Sequence, residues 1–193
     1  ADNTFEFAIA QNRDIFAIKK TGTGTNSIEL HVLSASSGYQ SFVLQTGTSL
    51  SESNDYDFVV AKNRDLIAIQ EKNNPGGKID VRVLTAASGY TLGFLAGTQL
   101  PETTAGYDFT IAENRDLIAV KKSGTGTNST EIYTLSAASS YTQTINHVGT
   151  ALHETNDSYA FAMANNRDLF AIKKNGTGSN TTEVHVLRKP AVN

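Results

Sequence analysis

No cysteine occurs in the chain, so neither disulfides nor thiolate metal sites contribute to it. Tryptophan is also absent, and there are three prolines and one methionine. Charge is sparse, at 18%, and nearly balanced: 16 basic against 19 acidic side chains give a net charge of -3. That balance leaves no electrostatic footprint for nucleic acid or for an anionic membrane surface. No apolar run approaches the roughly 20 residues that span a bilayer as a helix, so membrane insertion is not expected. With 193 residues and 39% hydrophobic content, disorder is not expected either. The expectation is a soluble protein, extracellular or cytoplasmic, stabilised by packing and strand pairing alone.

What the chain does have is repetition. Asn-Arg-Asp followed by an apolar run occurs at Asn12, Asn63, Asn114 and Asn166, offsets of 51, 51 and 52 residues. A period of about fifty residues rich in strand formers predicts a propeller or solenoid. The approximate repeats are 4–54, 55–105, 106–157 and 158–193, within one domain spanning 1–193.

Each repeat divides into strand-like segments. The first alternates, as in Phe5 to Ala10, Tyr56 to Ala61, Tyr107 to Ala112 and Tyr159 to Ala164. The second is apolar throughout (Ile15 to Ile18, Leu66 to Ile69, Leu117 to Val120, Leu169 to Ile172), as a strand buried on both faces should be. The third alternates again, as in Glu29-Leu30-His31-Val32-Leu33. The fourth is expected at Gln40 to Thr46, Thr91 to Ala96 and Tyr141 to His147. Apolar inner strands and loosely specified outer ones are what radially packed blades require. The fold class is therefore all-β: a four-bladed β-propeller whose last blade lacks a regular outer strand, because only Arg188 to Asn193 follow Leu187. An open edge needs covering, by the tail with its Pro190, by a second chain in a homodimer, or by further sequence.

The connections carry turn chemistry. Asn-Arg between the first two strands suits a two-residue hairpin with Asn at positive φ. Lys-Lys-x-Gly-Thr-Gly-x-Asn joins strands two and three in repeats one, three and four. Repeat two has Glu71-Lys72-Asn73-Asn74-Pro75-Gly76-Gly77-Lys78 instead. A link with Gly-Thr-x-Leu-x-Glu leads onward, ending at Glu52, Glu102 and Glu154.

The pattern Phe-x-Phe-Ala-x-Ala, Asn-Arg-Asp-Leu-Ile-Ala-Ile-Lys-Lys, Gly-Thr-Gly, Glu-x-His-Val-Leu resembles the FG-GAP or VCBS-type propeller repeat. It is closest to repeats of mushroom propeller lectins and of carbohydrate-associated modules in soil actinobacteria. The likeness runs from Phe5 to Leu187 and is one of repeats. It implies a propeller that binds glycans at repeated inter-blade sites, and relatives with larger rings often favour N-acetylglucosamine. FG-GAP repeats usually hold Ca²⁺ in an extended loop after the first strand. Here that loop has shrunk to Asn-Arg-Asp, short of the six to eight oxygens a Ca²⁺ ion takes, so no metal or other cofactor is expected.

An enzyme is not expected. His31 and His185 share a repeat position while His147 and His153 do not, and Glu29, Asp80, Glu131 and Glu183 recur once per repeat, which reads as solvated strand faces. A glycan site needs an aromatic face, a carboxylate or amide, and a rigid cleft. The loop after strand two and the inter-repeat link open on the same side of a blade. The expected sugar-binding residues are Thr23, Asn26, Glu52, Asn54, Tyr56, Glu102, Tyr107, Asn128, Glu154, Asn156, Tyr159 and Asn180. The alternatives are inter-blade packing for the tyrosines and turn capping for the glutamates. Function is read as a multivalent lectin, or else a non-catalytic scaffold propeller without sugar specificity.

Overall fold

In a computed structural model, residues 4–102, 106–164, 166–178 and 180–188 are described. The fold is of the four-bladed β-propeller class that the repeats predict, with four antiparallel sheets, one per repeat. Blade 1 contains β1 (Phe5–Ile9), β2 (Ile15–Lys19), β3 (Ser27–Leu33) and β4 (Phe42–Ser51). Blade 2 contains β5 (Tyr56–Val60), β6 (Leu66–Gln70), β7 (Lys78–Leu84) and β8 (Gly93–Pro101). Blade 3 follows with β9 (Tyr107–Ile111), β10 (Leu117–Lys121), β11 (Ser129–Leu135) and β12 (Thr144–His153). Blade 4 has three strands among the described residues: β13 (Tyr159–Met163), β14 (Leu169–Lys173) and β15 (Glu183–Leu187). Pro190, expected to blunt its edge, lies outside the described residues. Helical structure among the described residues is confined to four 3-10 turns of three residues each. The chain divides into two compact units, Ala1–Glu102 with blades 1 and 2, and Thr103–Asn193 with blades 3 and 4.

Two expectations need correction. The fourth strands are longer and later than the sequence suggests, because Gly-Thr-x-Leu belongs to β4, β8 and β12 and not to a link. A register shift between Ser27 and Glu29, between Lys78 and Asp80 and between Ser129 and Glu131 lets the third strands of blades 1, 2 and 3 pair across that glycine and on to the strand end (Ser27 with Ser51, Lys78 with Pro101, Ser129 with His153). Nor is the first hairpin a two-residue turn with Asn at positive φ. Its loop has three residues: the Arg13 amide donates to the Ala10 carbonyl at 2.8 Å, and Ala10 N–H reaches the Asp14 carbonyl at 3.0 Å. The left-handed residue is the arginine, with φ between 69° and 71° at Arg13, Arg64, Arg115 and Arg167. A turn followed by one left-handed residue is the usual three-residue hairpin. Its geometry falls on Arg because Asn and Asp are both engaged. Asn12 Nδ2 donates to Asp14 Oδ2 at 2.7 Å, and Asp14 Oδ1 accepts from the Ala35 amide at 2.9 Å. Asp65 and Asp116 hold Ala86 and Ala137 in the same way, at 2.9 Å each. The hydroxyls of Tyr39, Tyr90 and Tyr141 donate to the carbonyls of Arg13, Arg64 and Arg115. In blades 1, 2 and 3 the repeated motif is thus a clamp that locks the two hairpins of the blade together.

In the first unit, one face of blade 2 (Tyr56, Phe58 and Val60 of β5, Leu66 and Ala68 of β6, Leu84 of β7) meets the opposite face of blade 1 (Phe16 and Ile18 of β2, Leu30 and Val32 of β3) in one buried cluster. Tyr90 stands edge-on to Phe16 with centroids 5.9 Å apart, and the Arg64 guanidinium lies 5.6 Å over the same ring. Arg64 also reaches Asp14 of blade 1 at 2.8 Å, an Arg to Asp pair between the two blades. Buried Lys20 bridges the blades, donating to Glu6 at 3.1 Å and to the Tyr56 carbonyl at 3.2 Å, while Glu6 accepts from the Phe58 amide at 2.7 Å.

In the second unit the same faces of blades 3 and 4 enclose a smaller buried cluster of Ala112, Ile118, Val120 and Leu169. Beside it lies a cleft of about 770 Å³, whose walls include Ile118, Ile132, Val148, Met163, Arg167 and Leu187. Lys122 takes the place of Lys20, with Asp108 at 3.3 Å and Asp157 at 3.0 Å.

Candidate functional site

The loop after strand two and the start of the next repeat do come together, as the sequence predicts. Glu52 Oε1 accepts from both the amide and the hydroxyl of Thr23, and the Glu52 amide donates to the Asn26 carbonyl at 3.4 Å. Glu154 repeats this with Thr125, at 2.7 Å to the amide and 2.9 Å to the hydroxyl, and with the Asn128 carbonyl at 3.2 Å. Glu102 accepts from the Asn74 amide at 2.6 Å. The Thr23 hydroxyl and then its amide hold the Glu52 carboxyl below the usual carboxylate range, and the Thr125 amide and hydroxyl do the same for Glu154. These glutamates fasten the loops. Asn26, Asn128 and Asn180 take left-handed turn positions with exposed side chains, and Asn54 and Asn156 are exposed too. Tyr56 and Tyr107 are buried, and Tyr159 is half-buried beside Phe161 and His185, so neither Tyr56 nor Tyr107 presents an exposed stacking face.

The same loop supplies a second threonine to a row that the sequence assigns to solvated strand faces. In blade 1, Thr25 Oγ1 donates to Glu29 Oε1 at 3.0 Å, and Glu29 Oε2 lies 3.7 Å from His31 Nε2. The Gln45 amide nitrogen lies 3.1 Å from His31 Nδ1 and donates to it, so a neutral ring carries its proton on Nε2, toward Glu29. The exposed Phe42 ring is 6.0 Å from the imidazole. In blade 3 the carboxylate is more deeply set. Glu131 is buried and accepts from Thr127 at 2.9 Å and from the Tyr133 hydroxyl at 2.8 Å, with His147 Nε2 at 3.2 Å. Burial works against its charge, yet the bonds from Tyr133, Thr127 and His147 together hold its carboxyl below the usual range. Burial and the adjacent Glu131 push the Tyr133 phenol up, so it stays a donor. Half-exposed His147 stacks on Tyr133 at 4.1 Å and 12°. Blade 4 pairs Glu183 with His185 at 3.8 Å.

Each of the three carboxylates with a fourth strand beside it faces a glycine there: Glu29 opposite Gly47, Asp80 opposite Gly97, Glu131 opposite Gly149. A Cβ on Gly47 or Gly149 would stand 3.0 Å or 3.2 Å from the serine hydroxyl of the loop end, so glycine keeps the approach open. Blade 2 breaks the set. Asp80 sits beside Arg82, without a threonine from its altered loop, and burial pushes its carboxyl up. The signal that could have found this row was present: Thr-Asn-Ser-x-Glu in repeats one and three, with Gly-Thr at a fixed distance downstream. Among the described residues no three His, Asp or Glu side chains are placed to hold a metal ion. Chemically, the rows of blades 1, 3 and 4 offer a carboxylate beside an imidazole, and blades 1 and 3 add an exposed Phe42 ring and a half-exposed His147 ring, groups suited to reading vicinal hydroxyls. No protein-family model matches the chain, and neither does any curated protein.

Proposed function

We propose that the protein is a multivalent glycan-binding protein without catalytic activity, whose sites are the loop-and-strand rows of repeats one, three and four. The observation that carries this reading is the recurrence of one constellation: a loop threonine holding a third-strand carboxylate beside an imidazole, at Thr25, Glu29 and His31 and at Thr127, Glu131 and His147. A held carboxylate binds hydroxyls without the entropy cost of ordering itself on contact. Each row has one carboxylate among its close partners, whereas glycoside hydrolysis uses two across a single bond. Several weak sites on one chain give useful avidity on a glycan-coated surface. Glycan-array binding with haemagglutination tests the reading. The wild type is expected to bind and agglutinate, and the double variant Glu29→Gln, Glu131→Gln to lose agglutination while remaining folded by circular dichroism. A wild type that binds no glycan on the array overturns it.

A further inference from the structure

The junction of blades 1 and 2 is filled by an aromatic ring that has no counterpart at the junction of blades 3 and 4. Tyr90, carried by the turn between β7 and β8, is 3% exposed. Its ring stands edge-on to Phe16 with centroids 5.9 Å apart, and its hydroxyl donates to the Arg64 carbonyl at 3.0 Å. In repeat four the place of Tyr90 in the sequence falls to Asn193, a side chain without a ring, outside the described residues. The residues that take the places of Phe16, Arg64 and Leu84 are Ile118, Arg167 and Leu187, and all three line the cleft of about 770 Å³. Every wall of that cleft comes from blades 3 and 4.

We propose that this cleft binds a small phenolic ligand, one with an apolar substituent para to its hydroxyl. The ring takes the place beside Ile118 that Tyr90 has beside Phe16, and the hydroxyl donates to the Arg167 carbonyl. The acceptor is already aimed for that bond. Arg167 holds the same left-handed backbone as Arg64, φ 70° against 69°, and the two amides are bonded alike, to the Ala164 carbonyl at 2.9 Å and to the Ala61 carbonyl at 2.8 Å. A cleft of this volume lies in the range of small-molecule sites and holds more than one ring. Its remaining walls include Ile145, Val148 and Val186, which are 58%, 47% and 46% exposed. A hydrocarbon substituent lying along them removes apolar surface from water on both sides, which sets the class of ligand as a substituted phenol and not a bare one.

Calorimetric titration of the full chain with 4-butylphenol tests this in sugar-free buffer, so its outcome is independent of whether glycans bind. One molecule per chain is expected. Amide NMR shifts are expected to group at Ile118, Arg167 and Leu187, and to leave Phe16 unmoved because Tyr90 already fills that junction. 4-Butylanisole keeps the ring and the chain but cannot donate a hydrogen bond, and is expected to bind roughly ten-fold more weakly. Thr134→Trp, at a half-buried wall of the cleft, is expected to abolish binding while remaining folded by circular dichroism. Should it fail to fold, Val148→Trp on the more exposed wall replaces it, with the same loss expected. No binding up to the solubility limit of 4-butylphenol overturns the proposal, and so does equal binding of the phenol and the ether. Binding seen only after deletion of residues 189–193 also overturns it, since the chain's own tail would then be the occupant.

Discussion

The junction between blades 1 and 2 and the junction between blades 3 and 4 use the same strand positions, yet the first is filled and the second borders a cleft of about 770 Å³. Four substitutions at equivalent positions account for much of the difference: Phe16 becomes Ile118, Ile28 becomes Thr130, Val32 becomes Thr134 and Leu44 becomes Asn146. Each removes apolar volume or adds a polar atom that must find a partner, as buried Thr130 does at the His153 carbonyl, 2.9 Å away. A repeat can therefore keep its backbone while its packing diverges, because strand pairing and the Asn-Arg-Asp clamp fix the blade before the inter-blade side chains are chosen.

The largest test of that contrast is truncation at equivalent sites. Phe16→Ala removes a fully buried ring, its edge contact with Tyr90 and the Arg64 stack, and is expected to cost about 3–5 kcal/mol. Ile118→Ala, at a wall that already borders the cleft, should cost about 2 kcal/mol. Urea unfolding of both variants compares them, and equal losses would show that the two junctions are packed alike.

Asp14→Asn comes next. It weakens the Arg64 pair and the acceptor that holds the Ala35 amide, and is expected to cost about 1–3 kcal/mol at neutral pH. The Ala35 amide first, and Arg64 after it, lower the Asp14 carboxyl pKa in the folded state. A lowered folded value means that the contribution is present above the unfolded value of about 3.9 and is lost as pH falls from there through the folded value. Unfolding as a function of pH should show the wild type losing its advantage over Asp14→Asn in that acidic window, and a constant gap between them would contradict the assignment.

Filling the second junction is a smaller effect of opposite sign. Ile118→Phe restores the residue of repeat one and is expected to raise stability by about 0.5–2 kcal/mol, read as a higher Tm. A lower Tm would mean that the polar walls at Thr134 and Asn146 reject the ring. Smallest is Arg64→Lys, which keeps a charge near Asp14 but loses the planar stack on Phe16. It should cost about 0.5 kcal/mol at this partly exposed position.

The blade count, the inner strands and the doubly buried second strand were legible because a fifty-residue period combined with unbroken apolar runs is compatible with few architectures. The hairpin was not, because propensity assigns positive φ to Asn, whereas here Asn12 and Asp14 are drawn into side-chain bonds and Arg13 takes the left-handed position. The fourth strands extend past their expected ends because Gly47, Gly97 and Gly149, which resemble breakers, each lie in a strand opposite a carboxylate. At the site, the meeting of Glu52 with Thr23 was legible from loop topology. The inward setting of Glu131 was not, since burial of a strand's outer half depends on partners brought from other positions, Tyr133 and His147, that no local pattern names.

The number of sugars that one chain takes tests the proposed function most directly. Calorimetric titration of the full chain with an N-acetylglucosamine oligomer should give at most three sites per chain. Repeat two should be silent, because its loop brings no threonine to Asp80. Glu131→Gln should remove one site and lower agglutination more steeply than single-site affinity. Four equivalent sites, or an unchanged stoichiometry in Glu131→Gln, would contradict the assignment of the sites to these rows.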